Sequence, residues 1–343
     1  MQLTPMRQKD ILSFCSYMKK TNDISTRLLT WFRTAKRPMP WRKTPAPYIC
    51  WLSEIMMQQT TYQTVLPYYT RFLTQFPTVK ALAKASEQTV LKAWEGMGYY
   101  ARARNLHKAA QQIATQGWPQ SAAEWAALPG IGPYTAAALA SVLHGEKVPV
   151  VDGNVARVFA RYWRLDGDFS KQPVRARLAQ RLQPCIDACS GTSLAEQPND
   201  DTAVGMFNQA MMELGALVCT SKNPSCESCP LAKDCAARKA GEQERYPVKA
   251  AKSPLPVRHL TAVVIPDGRG RILLVQNSKG SLLKGLWELP SIEPATDLVH
   301  VFSHFRLELS VQRATRSGAL FADPRKVPLT TATRKALVTC GLL

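Results

Sequence analysis

The chain has 343 residues, 45% of them hydrophobic, enough for two or three domains with cores of their own; no apolar run reaches membrane-spanning length and no signal-like apolar core opens the chain, so a soluble intracellular protein is expected. A formal net charge of +19, of which +6 falls in 257–343 and +13 upstream, excludes an acidic solvating protein and points to a polyanionic partner. Nine cysteines in such a chain favour a metal centre or free thiols over a disulfide framework.

Met1–Asn22 is polar and mixed, a tail or a loosely docked helix. Apolar residues at helical spacing from Ile24 to Thr34 predict an amphipathic helix. It leads into Arg37-Pro38-Met39-Pro40-Trp41-Arg42, which two prolines hold extended. An aromatic ring between two arginines on such a segment suits a base and its phosphates, or plain packing. Pro47–Thr60 reads as a helix that is apolar on nearly every side, and Glu54 is its odd residue. Its carboxyl either reaches water at the helix edge or is buried with a raised pKa, which would make it an acid near neutrality. Helices are expected over Leu66–Gln75, Thr78–Ala83, Ser86–Trp94, Ala101–Gln116 and Ala122–Ala127. The turn Glu95-Gly96-Met97-Gly98-Tyr99-Tyr100 sets two tyrosines beside Arg102 and Arg104, a stacking-plus-phosphate combination.

In Leu128-Pro129-Gly130-Ile131-Gly132 the glycines allow positive φ and leave backbone N–H groups at the start of the helix Pro133–Leu143. That arrangement favours an anion such as a strand phosphate, or simply turns a corner between helices. Val148–Val151 runs extended into Asp152, the N-cap position of the helix opening at Gly153-Asn154-Val155; cap and dipole are expected to depress its pKa. Residues 187–203 read as a polar loop, and Thr202–Val218 as a helix with Gln209 and Glu213 on one face. Cys219, Cys226, Cys229 and Cys235 then fall within seventeen residues. Zinc sites more usually carry two Cys-x-x-Cys pairs and here there is one, whereas an iron–sulfur cluster tolerates the uneven spacing. Cys15, Cys50, Cys185, Cys189 and Cys340 read as ordinary thiols. Residues 241–256 form a basic, Pro-containing linker. After it come a β-hairpin of Leu260–Ile265 and Arg271–Gln276 about the turn Asp267–Gly270, the segment Gly285–Pro290, and a strand Val301–Gln312.

LPGIGPYTA at 128–136, VDGNVARV at 151–158, WLSEIMMQQT at 51–60, EGMGYYARARNLHKAA at 95–110 and the C-x6-C-x2-C-x5-C run together resemble the helix-hairpin-helix DNA glycosylases. Within them they resemble the adenine DNA glycosylases, over about residues 25–240 and more weakly over 257–343. The resemblance implies a mainly α N-terminal region after a tail (1–22). It consists of a six-helix barrel with the helix-hairpin-helix (46–150) and an iron–sulfur lobe (23–45 with 151–240), with DNA across the cleft. A linker (241–256) would lead to a C-terminal α+β Nudix-like lesion-recognition domain (257–343). A working Nudix hydrolase would carry an Arg- and Glu-rich helix after Gly285; none is present, so pyrophosphate hydrolysis is not expected.

The implied activity is base-excision repair by a monomeric, cytoplasmic, nucleoid-associated enzyme. It hydrolyses the N-glycosidic bond of adenine opposite 8-oxoguanine or guanine in double-stranded DNA and leaves an abasic site. Carried onto this chain, Glu54 matches the general acid, Asp152 the carboxylate beneath the oxocarbenium ion, and Tyr134 and Asn154 the groups that orient them. Arg37, Met39, Trp41, Arg42 and Gln209 match the adenine pocket, Gln59 and Tyr99 the wedges in the base stack, and Gly130 and Gly132 the backbone clamp. Cys219, Cys226, Cys229 and Cys235 match the ligands of a [4Fe–4S] cluster. Ser303, in Phe302-Ser303-His304, matches a contact to 8-oxoguanine. Related bifunctional endonuclease III-like enzymes have a Schiff-base lysine where this chain has Tyr134, so a monofunctional enzyme is expected. The chemistry agrees: a poor leaving group needs a proton, a developing cation needs a negative charge, and the base must be flipped to be reached.

Overall fold

In the computed structural model the described residues are 8–43, 46–189, 203–248, 257–277, 283–292, 298–301, 306–313 and 321–343. The helices are α1 (Gln8–Ala35), α2 (Pro47–Met57), α3 (Tyr62–Gln75), α4 (Val79–Lys84), α5 (Glu87–Ala93), α6 (Tyr100–Gln116), α7 (Ala122–Ala126), α8 (Pro133–His144), α9 (Gly153–Trp163), α10 (Gln172–Ala188), α11 (Ala203–Leu217), α12 (Ala236–Lys239) and α13 (Thr331–Thr339). Hydroxyl groups set where several of them begin. Thr61, Thr78, Ser86 and Ser121 cap α3, α4, α5 and α7, each accepting from the backbone N–H three residues on. Each cap satisfies one of the N–H groups that a helix start leaves open. The chain divides into two compact units, one of Met1–Glu54 with Trp118–Ala251 and one of Ile55–Gly117 with Lys252–Leu343.

In the first unit α11 packs against α1, α8 and α9, and α1 against α10. The core joins Leu28 and Phe32 of α1, Phe159 of α9, Leu182 of α10, and Phe207 and Leu214 of α11. Burying each of these side chains stabilises by about 2 kcal/mol. Small residues let α8 come close, since Ala136, Ala137, Ala138 and Ala140 are all buried. Gly145, at φ 68, ends α8 in the left-handed region where a glycine is unstrained.

In the second unit α6 packs against α4 and α5. The strands are β1 (Val257–Val264), β2 (Ile272–Leu273), β3 (Val275–Gln276), β4 (Trp287–Glu288), β5 (Ser291–Ile292), β6 (Leu298–Val301), β7 (Arg306–Arg313) and β8 (Phe321–Ala322). Four of them form a mixed sheet in the order β5-β1-β7-β6, with β1 and β7 parallel over eight residue pairs. Ala262, Val264, Leu307, Leu329, Ala336 and Leu337 join the sheet and α13 in one core. Polar bonds tie this part to α5 and α6. Lys92 Nζ donates to the carbonyl of Val327 at 2.9 Å and pairs with Glu95 at 2.7 Å, Arg334 reaches the other Glu95 oxygen at 2.6 Å, and the Tyr100 hydroxyl donates to the carbonyl of Leu329 at 3.2 Å.

Several elements differ from expectation. Of the two readings of Met1–Asn22, the helix is the one seen from Gln8 on, where α1 starts. Of the expected loop 187–203, Ala188 still belongs to α10, and 190–202 lie outside the described residues. Helices α10 and α13 were not expected; their apolar positions show only once a neighbouring element covers them. The start of the linker is docked: Tyr246 is 3% exposed, and its carbonyl accepts from Arg161 Nε at 3.0 Å. The β-hairpin is present but short: Pro266 and Ile272 form an antiparallel bridge, and the N–H groups of Asp267 and Leu273 donate to the carbonyls of Arg271 and Ile265. Otherwise β1 pairs with β5 and β7, and β2 with β8. Of the strand expected over 301–312, Val301 ends β6 and 306–312 lie in β7, while 302–305 fall outside the described residues. The segment 46–150 expected to form one barrel is divided between the two units: α7 packs against α8 and α8 against α11 in the first, and α3–α6 belong to the second.

Candidate active site

Glu54 stands in the last turn of α2 and Tyr134 in the first turn of α8, where Pro133 follows Gly132 at the N-cap. The Tyr134 hydroxyl donates to Glu54 Oε2 at 3.1 Å. Burial lifts the Glu54 carboxyl to about 6, the hydrogen bond from Tyr134 and the charge of Arg42 opposing only in part. Desolvation by apolar neighbours is the expected cause of such a shift. Of the two sequence alternatives, these surroundings favour the carboxyl with a raised pKa. Tyr134 is itself raised well above its usual value by burial and by the nearby Glu54 and Asp152, so it stays a donor.

Asp152 caps α9, accepting from the N–H of Val155 at 2.7 Å and from Asn154 Nδ2 at 2.8 Å. The expected depression of its pKa is reversed. Burial raises it above the ordinary value, and outweighs those hydrogen bonds and the charge of Arg157. Asn154 is held in turn. Its Oδ1 accepts from Arg157 Nη2 at 2.8 Å, and Arg157 also donates to the carbonyls of Gly215 and Cys219, both at 2.7 Å. Helix α11 can approach Asn154 because residue 215 has no side chain: a Cβ there would lie 2.6 Å from Asn154 Cβ and 3.0 Å from its backbone. Gly215→Ala is therefore expected to destabilise by about 1–3 kcal/mol, the usual range for overpacking. Denaturant unfolding measures it, and an unchanged midpoint would show that the α9–α11 contact has room to spare.

Arg37 and Arg42 converge on Glu213, whose side chain is 2% exposed, and Gln209 accepts from Arg42 beside them. Glu213 Oε1 accepts from the backbone N–H and Nε of Arg37, both at 2.9 Å, and Oε2 from Arg37 Nη2 at 2.8 Å. Arg42 adds two bonds of 3.3 Å to Glu213 and one of 3.0 Å to Gln209 Oε1. Burial alone would raise the Glu213 carboxyl, yet the two guanidinium groups pull it down to about 2. Met39 and Trp41, between the two arginines, are buried. The sequence sets Glu213 on a helix face with Gln209 and shows no role for it. Its arginine partners lie 176 and 171 residues away, beyond any local pattern.

Cys219, Cys226, Cys229 and Cys235 line one cavity together with Arg161, Arg238 and Gln243. Among the described residues no three His, Cys, Asp or Glu side chains converge as a single-ion site. Burial, with the charges of neighbouring cysteines adding to it, pushes the Cys229 thiol up to about 11 and raises Cys235. Four cysteine sulfurs lining one cavity are the donor set that a metal cluster takes up as thiolates. Arg161 Nη1 donates to Cys219 Sγ at 3.3 Å, and Gln243 Nε2 to Cys226 Sγ at 3.9 Å.

Residues 52–184 match the HhH-GPD superfamily of base excision DNA repair proteins. An adenine DNA glycosylase of Arabidopsis thaliana is 36% identical over 80% of this chain and 48% of its own length. That of Buchnera aphidicola subsp. Acyrthosiphon pisum is 31% identical over 82% of this chain and 84% of its own. The chain belongs to the adenine DNA glycosylase family. It spans about half the length of the Arabidopsis protein. The structure of a thermostable thymine-DNA glycosylase matches 65% of this chain and 98% of its own at a TM-score of 0.55 and 25% identity.

In this member of the adenine DNA glycosylase family, Glu54, Tyr134, Asp152, Asn154, Arg37, Met39, Trp41, Arg42 and Gln209 all belong to the first unit. Gly130 takes a φ of 78, and Gly132 is exposed at the start of α8, where no side chain caps the helix. Gln59 and Tyr99 are exposed on turns of the second unit. Ser303 lies outside the described residues. Arg102 does not have the expected phosphate-facing role: it points inward to backbone carbonyls, and burial pulls it down to about 10, where it is still charged at neutral pH.

Proposed function

We propose that this chain is a monofunctional DNA glycosylase that hydrolyses the N-glycosidic bond of adenine opposite 8-oxoguanine or guanine. The observation carrying this is the pairing of two carboxyls with different donor sets in one unit, Glu54 bonded by Tyr134 and Asp152 by Asn154 and Val155. Glu54 retains a proton far enough toward neutrality to deliver it to the adenine ring, which leaves as a neutral base. Asp152, bonded by donors on both oxygens, supplies the negative charge under the sugar as the oxocarbenium ion develops. Tyr134 orients Glu54, and Asn154 orients Asp152. With a phenol rather than an amine at residue 134, that position offers no Schiff base, and the strand is left uncut.

The extruded adenine would meet Arg37 and Arg42, which Glu213 holds in place, and Gln209, which Arg42 orients. Gly130 and Gly132 would hold a phosphate through backbone N–H groups. Cys219, Cys226, Cys229 and Cys235 would hold a [4Fe–4S] cluster, which supplies a rigid cross-link for their loop. The C-terminal strands and α13 would form a Nudix-like domain that recognises 8-oxoguanine, with Ser303 as its contact. The test is a single-turnover assay on four duplexes differing only in the base opposite adenine, read with and without alkali. Adenine release opposite 8-oxoguanine and guanine, with strand breaks only after alkali, is expected. Release from none of the four, or breaks without alkali, would overturn the assignment.

A further inference from the structure

Arg102, in the first turn of α6, has its guanidinium turned into the second unit. Nη1 donates to the carbonyls of Ile55 at 3.2 Å, of Met56 at 3.1 Å and of Gln58; Nη2 donates to the Met97 carbonyl and to Thr60 Oγ1, both at 3.4 Å. Its guanidinium carbon lies 5.4 Å from the ring centres of both Trp94 and Tyr99. Ile55 and Met56 end α2, where carbonyls have no partner within the helix. Gln58 and Thr60 belong to the turn that follows, and Met97 to the turn before α6. One side chain thus closes one turn and fastens it to another.

Each of those turns holds a non-glycine residue in the left-handed region, Gln59 at φ 55 and Tyr99 at φ 49. Such a conformation persists only where its surroundings impose it. Both side chains are exposed, Tyr99 at 43%. An exposed aromatic ring and an exposed amide, each aimed outward by a strained turn, have the chemistry of groups that enter a base stack. Entry opens a gap in the duplex, and two groups on independent loops would lose their offset as each loop moved. A planar, five-donor guanidinium can bond both turns while lying against two rings, and a lysine ammonium cannot.

We infer that Arg102 is a positioning residue that locks the Gln59 and Tyr99 turns into one rigid element, so that both side chains enter the duplex in register. The inference rests on the glycosylase function proposed above. It is tested on the full chain with Arg102→Lys, Arg102→Met, Tyr99→Ala and the double variant Arg102→Lys/Tyr99→Ala. Single-turnover adenine release and the fluorescence of 2-aminopurine at the target position are measured for each. Arg102→Lys, which keeps the charge and spares the fold, is expected to slow release by about 10-fold, the scale of one charged hydrogen bond, and to blunt the fluorescence rise. In the Tyr99→Ala background the same change is expected to slow release by less than about 2-fold, since coupled residues are not additive. Losses that multiply in the double variant, or a fluorescence rise equal to that of the wild type in Arg102→Lys and Arg102→Met, would overturn the positioning role alone. A wild-type chain that extrudes and releases nothing would overturn the glycosylase function and this inference with it.

Discussion

Asp152→Asn is expected to bind a mispaired duplex as the wild type does and to release adenine at least about 10³-fold more slowly, the scale of removing a preorganised charge. The substitution removes the charge and, with one acceptor oxygen left, also the bond from Asn154 Nδ2, while sparing the cap. Asparagine is as good an N-cap as aspartate, so the bond from Val155 N–H at 2.7 Å can be kept and α9 should start where it does. Gel-shift affinity and single-turnover release measure the two halves of this expectation. Release within about 10-fold of the wild type would remove Asp152 from the reaction and leave it a cap.

Glu54→Gln is expected to do two things of opposite sign. Adenine release should fall by about 10²- to 10⁴-fold, the usual contribution of a positioned acid. In the wild type, release should decline as pH rises through about 6, where Glu54 loses its proton; the variant should show no such limb. Stability should move the other way. The folded pKa lies above the ordinary 4.5, so the group favours folding fully below pH 4.5 and loses that contribution as pH rises through about 6. At neutrality the wild type therefore carries an ionised, desolvated carboxylate at a penalty of about 1–2 kcal/mol, which glutamine lacks. Chemical unfolding at pH 7.5 and pH 4 should show the variant more stable at the first and level at the second. A variant less stable at pH 7.5 would mean that Glu54 is better solvated than its surroundings imply.

The parts of the site that were legible in the sequence are those set by neighbours in the chain. Pro133 after Gly132 marks the start of α8, Asp152 before Gly153 marks a cap, and Glu54 stands out because the residues around it are apolar. The sign of the Asp152 shift was not legible, because burial by residues remote in sequence decides it against the local cap. Glu213 was visible only as a polar residue on a helix face; its partners come from the segment of Arg37 and Arg42, far upstream. Arg102 read as a phosphate contact because a sequence shows the charge of an arginine and not the carbonyls that consume it. The C-terminal hairpin was legible only beside its turn, for a related reason. A turn such as Asp267–Gly270 announces local pairing, whereas the ladder between β1 and β7 has no local signature at all.

That parallel ladder also bears on how the chain acquires its structure. Parallel strands cannot zip up from a tight turn, so β1 and β7 must meet by closing the whole stretch between Val264 and Arg306 before any cross-strand bond forms. Helices α3–α6 rely on contacts nearer in sequence and should form earlier, with the mixed sheet completing in a slower phase of refolding. Until it completes, β1 and β7 present open edges on which another chain could pair. Crowded or rapid synthesis should therefore lose this protein first through its sheet, with the helices already in place.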